Sequence, residues 1–161
     1  MAVHADVFKH ALGHFASGVT VVTLANENTK TGITVTAFCS VSLDPPYILI
    51  SVNKESYSLD ILKDNPMFVV NFLAANQQDV SNQFASKSKD KFQGISHHIE
   101  KLGLPVLDNT LGFLECKVVN QVSAGDHDLL IGLVENAGID DTKRPLLYFH
   151  GTYDELKRAS E

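Results

Sequence analysis

The 161-residue sequence predicts a mainly β, antiparallel barrel or sandwich with short inserted helices. Three observations carry that expectation. Short runs rich in Val, Ile, Thr and Phe recur along the chain with turn residues between them. About six or seven such runs stand against two or three short helical patterns. The helical patterns do not alternate regularly with the strands, which argues against a Rossmann sheet. No repeat, low-complexity segment or linker interrupts the chain, so residues 1–161 read as a single domain.

Residues 5–15 place Phe8, Ala11, Leu12 and Phe15 at helical spacing, predicting a short amphipathic helix that Ser17-Gly18 breaks. A strand over 19–24 turns at Asn26-Glu27-Asn28, and Gly32 opens its hairpin partner. That partner, 33–43, is the stretch around which the rest is organised. Its odd positions are apolar: Ile33, Val35, Ala37, Cys39, Val41 and Leu43. Its even positions are Thr34, Thr36, Phe38, Ser40 and Ser42. In a strand these fall on opposite faces, one for a core and one of short hydroxyls. Pro45-Pro46 end it, since proline supplies no ladder donor.

Residues 47–52 read as a central strand leading to the turn 53–58. A short helix with Leu59, Ile61 and Leu62 follows, with Ser56 or Ser58 as natural N-cap and Asn65-Pro66 as its stop. Residues 67–73 predict a strand, and 76–85 a helix with Val80 and Phe84 one turn apart. The run 86–91 concentrates Lys87, Lys89 and Lys91, and 92–108, with His97-His98, predicts an irregular surface segment. In 112–122, Leu114, Cys116, Val118 and Val122 alternate with Glu115, Lys117 and Gln121. The turn 123–128 leads to a strand over 129–134. A final strand over 146–153 precedes a charged tail expected to fray.

A net charge of -6 and a pI near 5.6 argue against a nucleic-acid footprint or a basic membrane-binding face. The apolar runs are too short to span a bilayer, and without a leader the expected location is cytoplasmic. Cys39 and Cys116 lie far apart in strand-like runs, which predicts two buried free thiols in a reducing compartment; a single disulfide is the weaker alternative. No metal site is expected: the cysteines lack zinc-like spacing, and the adjacent His97-His98 lack a shared ligand geometry.

A row of short hydroxyls lets a flat, polar-edged ligand lie close to the backbone. On alternation alone a solvent-facing strand is the simpler reading, threonine being a good strand former; the neighbouring segments change that balance. At residues 53–58 a strand end meets a helix start, where free amides and the serines Ser56 and Ser58 suit a phosphate, with Lys54 as compensating charge. Plain capping explains the same serines, and a solvated loop explains any one of Lys87, Lys89 and Lys91. No G-x-G-x-x-G fingerprint or P-loop is present. Gly125-Asp126-His127 is the histidine-bearing turn with an adjacent carboxylate, able to present an imidazole to a ligand or simply to stabilise itself. Nothing nominates a catalytic triad, and no catalytic residue is assigned.

Together these segments resemble the flavin reductase family with the FMN-binding split-barrel fold, the reductase partners of two-component flavin monooxygenases. The resemblance rests on 15–23, on 32–46 with its Cys39-Ser40-Val41-Ser42-Leu43-Asp44-Pro45-Pro46 core, on 53–58, 68–73 and Gln83-Phe84-Ala85, and on Gly125-Asp126-His127 and 145–153. The order is kept over nearly the whole chain, though 95–106 matches less crisply.

The resemblance implies an antiparallel six- or seven-stranded split barrel and an NAD(P)H-dependent flavin reductase. Such an enzyme passes hydride from NADH or NADPH to FMN (or FAD) and supplies reduced flavin to a separate oxygenase. It further implies that Thr34, Thr36, Ala37 and Ser40, with the intervening Val35 and Val41, line the isoalloxazine. Asn53, Ser56 and Ser58 would hold the ribityl chain and phosphate, Phe84 and Lys91 would close the far side, and His127 would stand where the nicotinamide arrives. A homodimer is implied, with the flavin near the subunit interface. The alternatives are a non-enzymatic FMN-binding or electron-transfer protein on the same barrel and, after it, a small barrel that binds no flavin.

Overall fold

The computed structural model describes residues 2–156; the tail expected to fray lies, beyond Leu156, outside the described residues. In chain order the elements are α1 (Ala5–Gly13), β1 (Ser17–Gly18), β2 (Thr20–Ala25), β3 (Lys30–Val35), β4 (Phe38–Leu43), β5 (Pro46–Asn53), α2 (Ser58–Asp64), β6 (Met67–Phe72), α3 (Gln78–Ala85), β7 (His97–Ile99), β8 (Pro105–Leu107), β9 (Gly112–Ala124), β10 (His127–Ile139), β11 (Leu146–Phe149) and β12 (Thr152–Glu155).

Seven strands form one antiparallel sheet in the order β3-β2-β6-β9-β10-β5-β4. Hairpin connections account for β2–β3, β4–β5 and β9–β10, as their turn residues predict. At the first of these turns Asn26 Oδ1 accepts the N–H groups of Asn28 and Thr29, each at 3.0 Å. One core cluster draws Val22, Val35, Ile50, Phe68, Cys116 and Leu130 from six of the seven strands, with Phe38 of β4 packed against it. The sheet therefore curls over its own core, and α2 packs Leu59, Ile61 and Leu62 into the same cluster. The roll is left open along a seam, because β3 and β4 occupy opposite edges of the sheet.

The expected continuous strand 33–43 is broken. Thr36 and Ala37 form a corner, β3 pairs with β2, and β4 crosses to β5 at the other edge. The corner resets the phase of the alternation, so Phe38 points to the core while Cys39, Val41 and Leu43 point outward, Leu43 being 95% exposed. A bulge between Ser40 and Ser42 disturbs the register again. Of the two thiols expected inside, Cys116 is buried and Cys39 is exposed.

Other expectations change in detail. The final strand is a hairpin, β11–β12, reversing at His150-Gly151, where both residues have positive φ. Within the segment 92–108, His97–Ile99 pairs with Pro105–Leu107. α1 forms as expected, but none of its residues is buried and Phe8, Leu12 and Phe15 are exposed. Glu115, read as part of a polar outer face, is fully buried. Its carboxylate accepts the N–H groups of Lys101 and Leu102 at 3.0 and 2.8 Å and the Asn136 amide at 2.8 Å. A buried charge is tolerated when its lone pairs are satisfied in this way.

Candidate flavin site

The seam is a groove. One wall is the edge of β3 running into the corner, the other is the end of β5 with the base of the β9–β10 turn. Ile33, Thr34, Val35, Thr36, Ala37, Ser51, Val52, Asn53, Ser56 and His127 line an inner cavity of about 310 Å³. Seven of these ten are site residues the sequence nominates. β3 pairs only with β2, so its outer edge turns backbone N–H and C=O groups toward the groove. Short side chains at Thr36, Ala37 and Ser51 leave that backbone approachable. Thr34 contributes less than expected, because its hydroxyl donates to Ser81 O at 2.6 Å and so ties β3 to α3.

Ser56 and Ile33 also line a second, outer cavity of about 660 Å³, so the two cavities adjoin at these residues. Its walls are the start of β3, the turn before α2 and the loop after α3, which brings Lys87, Lys89 and Lys91 to it. The serine turn differs from a simple cap. Tyr57 occupies the N-cap position without a side-chain bond, and Ser56 Oγ accepts the Ser58 N–H at a long 3.3 Å. The Leu59 and Asp60 amides already reach Ser56 O and Tyr57 O, so an anion here would rest mainly on hydroxyls and lysines. Ser58 lines the outer cavity but is only 2% exposed.

Lys91 Nζ donates to Gly32 O at 3.0 Å and Phe84 O at 2.9 Å, and burial lowers its pKa. It staples the end of α3 to β3 at the edge of the cavity. His127 Nδ1 lies 2.7 Å from Asp126 Oδ1. A carboxylate only accepts, so the ring donates from Nδ1, which leaves Nε2 for another partner. The hydrogen bond from His127, followed by its charge, holds the Asp126 carboxyl below its usual range.

Four residues that the sequence nominates line neither cavity. Phe84 is 0% exposed in a second core cluster with Val21, Leu73 and Phe92; it lines neither cavity, because a fully apolar ring gains more from packing than from a polar groove. Ser40 and Val41 lie past the corner on β4, outside both cavities. Lys54 points away from the serine turn and donates to Ser123 Oγ at 2.6 Å and Gly125 O at 2.7 Å, tying the β9–β10 turn to the end of β5. Sequence reasoning missed Ser51, Lys30 and Tyr57; only the hydrogen-bonded register of β5 and the closeness of β3 to the α2 turn bring them in. No cluster able to hold a metal occurs among the described residues.

The flavin reductase like domain model matches residues 12–157. The chain belongs to the flavin reductase family. This flavin reductase is 36% identical over 152 residues to the reductase subunit HsaB of a flavin-dependent monooxygenase from Mycobacterium tuberculosis, covering 93% of this chain and 81% of that protein. It is also 36% identical over 152 residues to an NADH-dependent flavin reductase of a Rhodococcus species, covering 92% and 85%. Among solved structures, the NADH:FAD oxidoreductase SgcE6 of Streptomyces globisporus C-1027, in complex with NAD and FAD fragments, superposes with a TM-score of 0.93 at 29% identity, covering 100% of this chain and 99% of that one.

The residues of this flavin reductase fit a flavin. An unpaired strand edge with short side chains suits a planar ring with a polar rim, and Ser56 with the lysines suits a phosphate tail.

Proposed function

We propose that the chain uses NADH to reduce flavin held in the seam and releases it to a separate monooxygenase component. One observation carries this reading. The open edge of β3, the Ser56 turn and His127 line two cavities that adjoin at Ile33 and Ser56. The bound flavin and nicotinamide supply the redox chemistry between themselves, so no general base is required of the protein.

The roles left to the chain are positional. Main-chain groups of residues 34–37 hold the ring rim, with fixed N–H donors able to stabilise negative charge on it. Asn53 and Ser56 hold the chain beyond the ring; Asn53 Oδ1 also accepts the Glu55 N–H at 2.8 Å, which shapes the turn. Ser58, Lys87 and Lys89 support the phosphate from the outer cavity. His127, oriented by Asp126, offers Nε2 to the incoming nicotinamide. An open groove suits a flavin that must leave after each turnover.

The outward apolar residues of β4, Cys39, Val41 and Leu43, support assembly as a homodimer with the seam near the interface. Two free thiols support a cytoplasmic setting.

The test is an anaerobic mixture of NADH and FMN, in which the protein accelerates bleaching of the flavin band over buffer. Tight flavin binding with negligible turnover would instead mark a flavin carrier. Ser56→Ala with Ser58→Ala weakens FMN about tenfold and leaves riboflavin little changed, since charge-assisted hydrogen bonds are worth about 1.5–3 kcal/mol and riboflavin has no phosphate. Equal losses for both ligands would reduce these serines to a structural role.

A further inference from the structure

We propose that the outer cavity seats the adenosine phosphate half of a flavin dinucleotide, so that the chain prefers FAD to FMN. The inference rests on the flavin reading above and goes further, to the choice of flavin.

Four features carry it. The outer cavity, at about 660 Å³, is about twice the inner one at about 310 Å³, far more than a single phosphate fills. It adjoins the inner cavity at Ser56, so a ligand that extends past a phosphate held there meets it next. Its charge is lopsided: Lys30, Lys87, Lys89 and Lys91 line it against the lone carboxylate of Glu55. Lys30 comes from β3, a different wall from the lysine loop, which suits an anion more extended than one phosphate.

Lys30 is also held in place. His97 Nδ1 donates to Ile95 O at 3.0 Å, leaving Nε2 to accept from Lys30 Nζ at 3.0 Å. The ammonium sits 5.1 Å from the centroid of the Phe92 ring. One N–H is used and two remain for a ligand, and the ordering cost of the long side chain is already met in the folded state. Finally, Tyr57 lines the same cavity while 57% exposed. An aromatic face left open in a cavity lined by four lysines is a platform for a nucleobase.

The nicotinamide dinucleotide carries an adenosine phosphate too. The cavity is assigned to the flavin because it continues from the Ser56 turn, whereas His127 lines only the inner cavity.

Equilibrium titrations without NADH, followed by flavin fluorescence, test the proposal with riboflavin, FMN and FAD. FAD is expected to bind about tenfold tighter than FMN, and Tyr57→Ala to remove about tenfold of FAD affinity while sparing FMN, the size of one base-stacking contact. Lys30→Gln is expected to weaken FAD about threefold to tenfold, and 5′-AMP to compete with FAD but not with riboflavin. Both side chains are exposed, and unchanged riboflavin binding reports an intact fold. Equal affinity for FMN and FAD, unmoved by either variant, overturns the proposal and leaves the flavin reading standing. So does a Tyr57→Ala variant that raises the KM for NADH and leaves FAD affinity alone, which would give the cavity to the nicotinamide dinucleotide. Failure of all three flavins to bind overturns the flavin reading itself, and this inference with it.

Discussion

β3 and β4 are neighbours in the chain, alike in composition and separated only by Thr36 and Ala37, yet they occupy opposite edges of the sheet. β3 is hemmed in. α3 lies against it through Thr34 and Ser81, Lys91 staples its Gly32 carbonyl, and a Cβ added at Gly32 would stand 2.8 Å from the Phe84 ring. β4 is bare, with Val41 and Leu43 on an outer face that nothing among the described residues covers. The same alternating pattern thus serves a ligand wall in one half and an uncovered apolar face in the other. What separates them is the company brought by distant segments, α3 and its loop for β3 and none for β4.

The largest effect expected from this contrast lies behind β3. Phe84→Ala should lower stability by about 3–5 kcal/mol, the cost of truncating a buried aromatic ring, seen as a lower denaturation midpoint. Lost flavin affinity at unchanged stability would instead return Phe84 to the ligand. Next comes the groove itself. His127→Ala should raise the KM for NADH several-fold to about tenfold, the value of one hydrogen bond, with flavin affinity nearly intact. The reverse pattern in steady-state kinetics and flavin titration would remove His127 from the nicotinamide side.

On β4 the effect on the isolated fold should be small. Leu43→Asp should shift sedimentation toward monomer while changing monomer stability by no more than about 0.5 kcal/mol, as for an exposed position. An unchanged sedimentation profile would mean that β4 is not the contact. The smallest signal is chemical. In native protein a thiol reagent should label Cys39 and spare Cys116, whose thiol burial, aided by the Glu115 charge, pushes up to about 12. Slower labelling of Cys39 at higher protein concentration would confirm that a second copy shields β4.

Much of this architecture was legible in the chain. Hairpins announced by Asn26-Glu27-Asn28 and Gly125-Asp126-His127, and helices stopped by Asn65-Pro66, are local events written in local residues. The wall of the groove was legible for the same reason, since short side chains at consecutive positions mark an approachable backbone. The corner at Thr36-Ala37 was not. Alternation runs through it unbroken, and two residues are enough to reverse which face is which. Phe84, Glu115 and Lys54 escaped because their partners are remote in sequence. An aromatic ring, a carboxylate and an ammonium each read as site or surface until Gly32, Leu102 and Ser123 come to meet them.

The tie from Lys54 to Ser123 and Gly125 has a consequence for turnover. His127 opens β10, which pairs with β5 from its first residue, His127 opposite Asn53. With that pairing and the Lys54 tie together, the turn that carries His127 is bound to the end of β5 as one jaw. Successive guests then meet a preset opening, and each cycle is spared the time and disorder of closing a flap.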